Sequence, residues 1–254
     1  MTPIAFVHAI VLGYAKYGMD PEPALRASHI TPEQLNDPKA RITAGQMELL
    51  SAYAMQELDD EALGWFSRKL PWGSYGMLCR ASLTAPTLGV ALKRWCRHHR
   101  LLTEDILLHL HCEGQQATLN VESRIELGAM QELCLVTSLR YALAYASWVV
   151  DSGIELRGSQ FPYSAPAHVD AYEVLFPGPL EFDATMASVS FDRAYLDLPL
   201  RRDEEGLRQM LKRGLQMTVL QYRKDRLLVQ RVRHILSEHC QAMPEVSDLA
   251  QRLH

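Results

Sequence analysis

The sequence predicts an α+β fold: a helical amino-terminal part, a central antiparallel sheet with packed helices, and long carboxy-terminal linker helices. Three observations carry this. Apolar residues recur at helical spacing through the first 70 positions, alternation marks a hairpin near residues 106–121, and helices and strands fall in separate runs.

The elements follow in order. Phe6, Ile10 and Tyr14 share a helix face that Gly18 ends. Asp20-Pro21 and Thr31-Pro32-Glu33-Gln34 each open a short helix, and Thr43 caps a longer one through Met47, Leu50, Ala54 and Leu58. From Gly73 to Leu83 small and apolar residues mix without a helical period, so a buried strand is predicted there. Thr84-Ala85-Pro86-Thr87 caps a helix with Leu88, Ala91, Leu92 and Trp95 on one face. Ile106, Leu108 and Leu110 alternate with Leu107, His109 and His111; Glu113-Gly114 then turns the chain into Ala117, Leu119 and Val121. A long helix is predicted from Ala129 to Val150, with Gly153 as its stop, and strands at Ile154–Phe161 and Ala187–Phe191.

Bulk properties narrow the class. With 254 residues, 48% of them apolar, the chain can bury a sizeable core. Its formal net charge is −4, so no global basic field marks a nucleic-acid binder. The charge is uneven, however: residues 201–236 hold ten Lys or Arg against four Asp or Glu. A basic helical segment after an acidic body suits dimerisation, approach to DNA, or a solvated face. Five widely spaced cysteines without a Cys-x-x-Cys pair argue for reduced thiols in a cytoplasmic protein, not a disulfide framework. The apolar run Ile4–Leu12 lacks a basic leader and is too short for a bilayer, so no membrane association is expected.

Five motifs, in order, carry a resemblance. They are Gly13-Tyr14-Ala15 with Gly18-Met19-Asp20-Pro21; Leu63-Gly64-Trp65; Gly73-Ser74-Tyr75-Gly76-Met77; Ala85-Pro86-Thr87-Leu88-Gly89-Val90-Ala91-Leu92; and Phe191-Asp192 with Leu196-Asp197-Leu198-Pro199-Leu200. Together they resemble the amino-terminal, arabinose-binding-like effector domain of AraC-type transcription regulators, and within that family the chain is similar to regulators of ornithine or arginine utilisation. The resemblance implies an effector domain over 1–200, a helical linker and dimerisation segment over 201–243, and the start of a truncated helix-turn-helix domain over 244–254. It implies a homodimeric cytoplasmic activator that takes a small-molecule effector, no cofactor being expected. DNA would be met only through the absent carboxy-terminal domain, and RNA polymerase would be recruited by the full-length protein.

No nucleophile elbow, phosphate loop or metalloprotease motif supports an enzyme. A small-molecule enzyme using the same pocket, or a dimerisation module without ligand, are the alternatives to a sensor. The ligand contacts expected are Trp72, Tyr75, Arg80, Tyr141, Tyr145 and Trp148. Trp72 and Tyr75 put aromatic surface beside glycines, with core packing as the other reading. Arg80, in a buried strand, would need a ligand or an internal salt bridge. Tyr141, Tyr145 and Trp148 line one helix face toward the sheet, suited to core or ligand. A cationic amino acid would also need a carboxylate, for which Glu122, Glu126 and Glu132 are candidates. Cys96, His98, His99, His109, His111 and Cys112 offer a rival metal or haem site, and Cys79 or Cys96 a redox one, though no tight zinc spacing is present.

Overall fold

The computed structural model describes residues 1–212 and 225–238. The predicted helix-turn-helix start at 244–254 and the end of the linker lie outside the described residues.

The amino-terminal third is helical, as predicted. α1 (Ile4–Lys16), α2 (Glu22–Ala27), α3 (Pro32–Asn36) and α4 (Ala44–Glu57) follow one another, and a two-residue strand pair, β1 (Thr2–Pro3) with β2 (Arg41–Ile42), closes their base. Thr31 and Thr43 both form capping boxes, with Gln34 and Gln46 as the reciprocal partners. Ile4, Val7, Ile10 and Tyr14 of α1 are buried against the rest.

Residues Ser74–Leu83 form a helix, α5, where a strand was expected. The absence of a clear apolar period has a physical cause. Ser74, Gly76, Cys79 and Ser82 are buried because neighbouring elements approach closely, so small residues stand where a period would place large ones. A Cβ on Gly76 would lie 3.1 Å from Leu211.

α6 (Leu88–Leu102) leads into β3 (Ile106–Glu113) and β4 (Gln116–Ser123), the predicted hairpin, with Gly114 at φ 53° in its turn. The long helix α7 (Gln131–Val150) follows, then β5 (Leu156–Gln160), α8 (Asp170–Leu175), β6 (Leu180–Glu181) and β7 (Ala187–Asp192). The sheet order is β3-β4-β7-β5-β6, antiparallel except for the β5–β6 edge pair, which is parallel. α6 and α7 pack on this sheet, burying Ile106, Leu108, Leu119, Val121, Val189 and Phe191. α7 is long and apolar enough to cross a membrane by composition, but most of it is buried in this core.

Two of the sequence motifs meet in space. The Leu88 N–H donates to the Leu198 carbonyl at 2.9 Å, Thr87 bridges Pro199, and a Cβ on Gly89 would stand 3.2 Å from the Leu196 carbonyl oxygen. The linker begins with α9 (Glu204–Leu211) and continues after 225 with α10 (Arg226–Glu238).

Candidate functional site

A cavity of about 480 Å³ opens between the start of α1, α4, the first half of α7, and α8. Its walls are largely apolar: Phe6, Met47, Met55, Leu63, Leu133, Val136 and Leu175, with Trp65 at one side. Charged groups of both signs, Arg41, Glu48, Arg140 and Asp170, join them, with Ser51, Thr137 and Tyr141 as neutral polar groups. Such a volume and such a lining suit a small metabolite.

Each wall has an identifiable support. Trp65 rides on a loop organised by the buried Asp60, whose carboxylate accepts the N–H groups of Ala62, Gly64 and Leu70 and the Tyr17 hydroxyl. That loop comes so close to α1 that Gly13 and Gly64 touch: a Cβ on Gly13 would sit 2.2 Å from the Leu63 carbonyl oxygen. Gly64 has φ 86°, which glycine alone adopts without strain.

α8 is clasped over the cavity at three points. Arg41 pairs with Asp170 at 2.6 Å. Glu132 accepts from the Tyr172 hydroxyl at 2.7 Å and contacts His168 Nε2 at 2.6 Å. Arg140 donates to the Leu175 carbonyl at 2.7 Å, with its guanidinium 5.8 Å from the Phe176 ring centroid. Burial lowers the Arg140 pKa to about 10, so it still carries its charge at neutral pH. Arg41 holds the Asp170 carboxyl below its ordinary range. The Glu48 side chain has no hydrogen bond or ion pair among the described residues.

A second, smaller cavity of about 50 Å³ lies behind the first. Trp65 and Tyr141 line both and form their shared wall; Glu61, Tyr75, Trp95 and His99 complete the inner one. Glu61 accepts the N–H groups of Gly73 and Tyr75 at 2.7 and 2.5 Å, capping α5 from upstream.

The six expected contacts are spread across the molecule. Tyr141 lines both cavities and Tyr75 the inner one, their rings 4.6 Å apart. Tyr145 is buried, stacked on Trp95 at 4.7 Å, with its hydroxyl donating to the Cys79 carbonyl. Trp148 packs beside Tyr145 and under Arg202. These rings point to α5, α6 and the linker, where the sheet was expected. Trp72 is half exposed, and Arg80 forms an exposed bidentate pair with Glu204, the salt-bridge alternative of the sequence reading.

None of Glu122, Glu126 and Glu132 lines the cavity: Glu122 pairs with His109, Glu126 is exposed, and Glu132 holds α8. Glu48 and Asp170 are the carboxylates that sequence reasoning passed over, although Glu48 follows Met47 by one position in a helix read correctly. Arg140 was passed over too, and a lone arginine inside the apolar run 133–150 was its signal. Among the described residues no group of three His, Cys, Asp or Glu side chains converges as a metal site would require. Burial pushes the Cys96 thiol up to about 12 and Cys79 higher still, which keeps both protonated.

Comparison with known proteins gives three findings. Residues 18–200 match the family model described as the arabinose-binding domain of AraC transcription regulators, N-terminal. The chain is 24% identical to the "Ornithine utilization regulator" of Pseudomonas aeruginosa, across 100% of this chain and 75% of that protein. A solved structure, the transcriptional regulator CdpR from Pseudomonas aeruginosa, aligns with a TM-score of 0.45 at 17% identity, covering 92% of this chain and 73% of that one.

Proposed function

The chain belongs to the AraC family of transcription regulators through its amino-terminal arabinose-binding domain, and from that premise we propose that the 480 Å³ cavity is the site of its effector, an amino acid such as ornithine or arginine. The observation that carries the proposal is the lining itself. An α-amino acid presents a carboxylate and an ammonium a few ångströms apart, and the cavity offers Arg41 and Arg140 for the first, Glu48 and Asp170 for the second, with apolar walls for the chain between. The name of the Pseudomonas relative supports the choice of ornithine.

Signalling would run along α7. Leu133, Val136, Thr137, Arg140 and Tyr141 of this helix face the cavity, while the carbonyls at its far end receive the linker. The Trp148 carbonyl accepts from Arg202 Nε at 3.1 Å, that of Val149 from the Arg201 N–H at 2.8 Å, and that of Val150 from an Arg226 terminal nitrogen at 3.0 Å. The final carbonyls of a helix need such partners, and cations there also meet the negative end of its dipole. An effector that fits one seating of α7 better than another shifts the population of linker arrangements by that differential affinity. In the cytoplasm, that shift would set the geometry of a homodimer and of a carboxy-terminal helix-turn-helix domain, and hence recruitment of RNA polymerase as an activator.

The test is thermal unfolding against a panel of amino acids, polyamines, sugars and aromatic acids, repeated on Ala44→Trp, which places a ring at the exposed mouth of the cavity. A ligand that binds only the folded chain raises its Tm. The reading expects a rise with ornithine or arginine that disappears in the variant; a rise that survives it would move the effector elsewhere.

A further inference from the structure

We infer that the inner cavity is a receptor for an alkylammonium group, and that it takes the terminal amine of the effector whose body lies in the larger cavity. This rests on the effector reading above. It goes beyond it by assigning a cation subsite to residues outside the main cavity.

Three features of the inner cavity point the same way. The first is its aromatic enclosure: Trp65, Tyr75, Trp95 and Tyr141 line it, with Tyr75 5.5 Å from Trp95 and 4.6 Å from Tyr141. An aromatic ring attracts an ammonium that approaches its π-face, the more so where the pair is withdrawn from water. The second is a carboxylate. Glu61 is largely withdrawn from water and accepts two backbone N–H groups, and each oxygen keeps a further lone pair. Among the described residues no lysine or arginine forms an ion pair with it, so a cation from outside would supply the missing counter-charge. Burial raises its pKa, as expected of a carboxylate lacking that partner.

The third feature is a neutral histidine. His99 lines the cavity, and burial lowers its imidazole pKa to about 4, so the ring is uncharged at pH 7 and adds no positive charge to oppose an ammonium. The space of about 50 Å³ exceeds what one water-sized group needs, enough for an amine and its methylene. Trp65 and Tyr141 border both cavities, so the two spaces are neighbours, and on this inference the ligand chain passes the side chains of this shared wall.

The experiment is calorimetric titration of the chain with ornithine and with norvaline, which has the same carbon skeleton without the terminal amine. Ornithine is expected to bind at least roughly tenfold tighter, and in Glu61→Gln the preference should fall to within about twofold. His99→Leu, which replaces a polar part of the cavity wall by an apolar one without touching the α5 cap, should reduce the preference severalfold. Equal affinities for the two amino acids, or a preference that survives both substitutions, would overturn the inference while leaving the effector reading intact. Binding of neither amino acid would remove both.

Discussion

Along its first half α7 faces a cavity, through Leu133, Val136, Thr137, Arg140 and Tyr141; along its second half it meets solid protein, with Tyr145 stacked on Trp95 and Val149 and Val150 fully buried. Both halves are apolar helix with aromatic residues, so composition does not distinguish them. What differs is the partner. The second half packs on α5 and α6 and ends in the linker arginines, whereas the first half is faced across the cavity by α4 and by α8, the latter clasped by charged side chains of β2 and α7. A helix can thus be a core element at one end and a binding wall at the other, and the change occurs within one turn, between Tyr141 and Tyr145.

Substitutions can break this contrast. Tyr145→Ala should cost about 3–5 kcal/mol in chemical denaturation, because a large ring leaves a close-packed environment. Met47→Ala, across the cavity from the first half of α7, should cost about 1 kcal/mol, since that half-buried side chain already borders open space. Similar costs at the two positions would mean that the cavity is packed as the core is.

The linker end comes next. Arg202→Ala removes a hydrogen bond to the Trp148 carbonyl and a 2.6 Å ion pair with Asp151, both half-buried, and should lower stability by about 1–2 kcal/mol. It should also speed cleavage by subtilisin around residues 200–212. Unchanged cleavage would show that the linker is seated by other contacts.

How much of this was legible depends on the range of the interaction. The caps at Thr31 and Thr43, the 106–121 hairpin and the extent of α7 are written in residues a few positions apart, and they were read correctly. α5 was not, because its start is capped by Glu61 from more than ten residues upstream and its buried face is made mostly of small residues, with Gly76 against Leu211 of the linker. The cavity was the least legible feature. It joins residues near 41–55, 133–141 and 170–175, and nothing local brings these together. Tyr141 was picked out for its aromatic neighbours, which led equally to Tyr145 and Trp148, two positions that the fold uses for packing and for the linker.

A pH series sharpens the contrast on the cavity side. His99 has a folded pKa near 4 against 6.5 when exposed, so protonation favours the unfolded chain. Stability is fully present above pH 6.5 and falls as pH drops toward 4. Glu61, whose folded pKa is raised, acts in the opposite direction as it protonates, so His99→Leu is needed to isolate the histidine contribution. Its Tm profile should lose the decline between pH 6.5 and 4; an unaltered profile would place the loss on other groups. The smallest effect is expected from Arg80→Ala. Its pair with Glu204 is exposed and screened by water, so neither ligand affinity nor stability should change appreciably in titration and melting experiments.

Hydrogen exchange, measured by mass spectrometry with and without saturating ornithine, tests most directly whether α7 joins the cavity to the linker. Altered protection is expected both in the cavity walls, residues 41–55 and 133–141, and at the linker seat, residues 148–152 and 201–211. Changes confined to the cavity walls, with the linker seat exchanging as in the free chain, would contradict such a link.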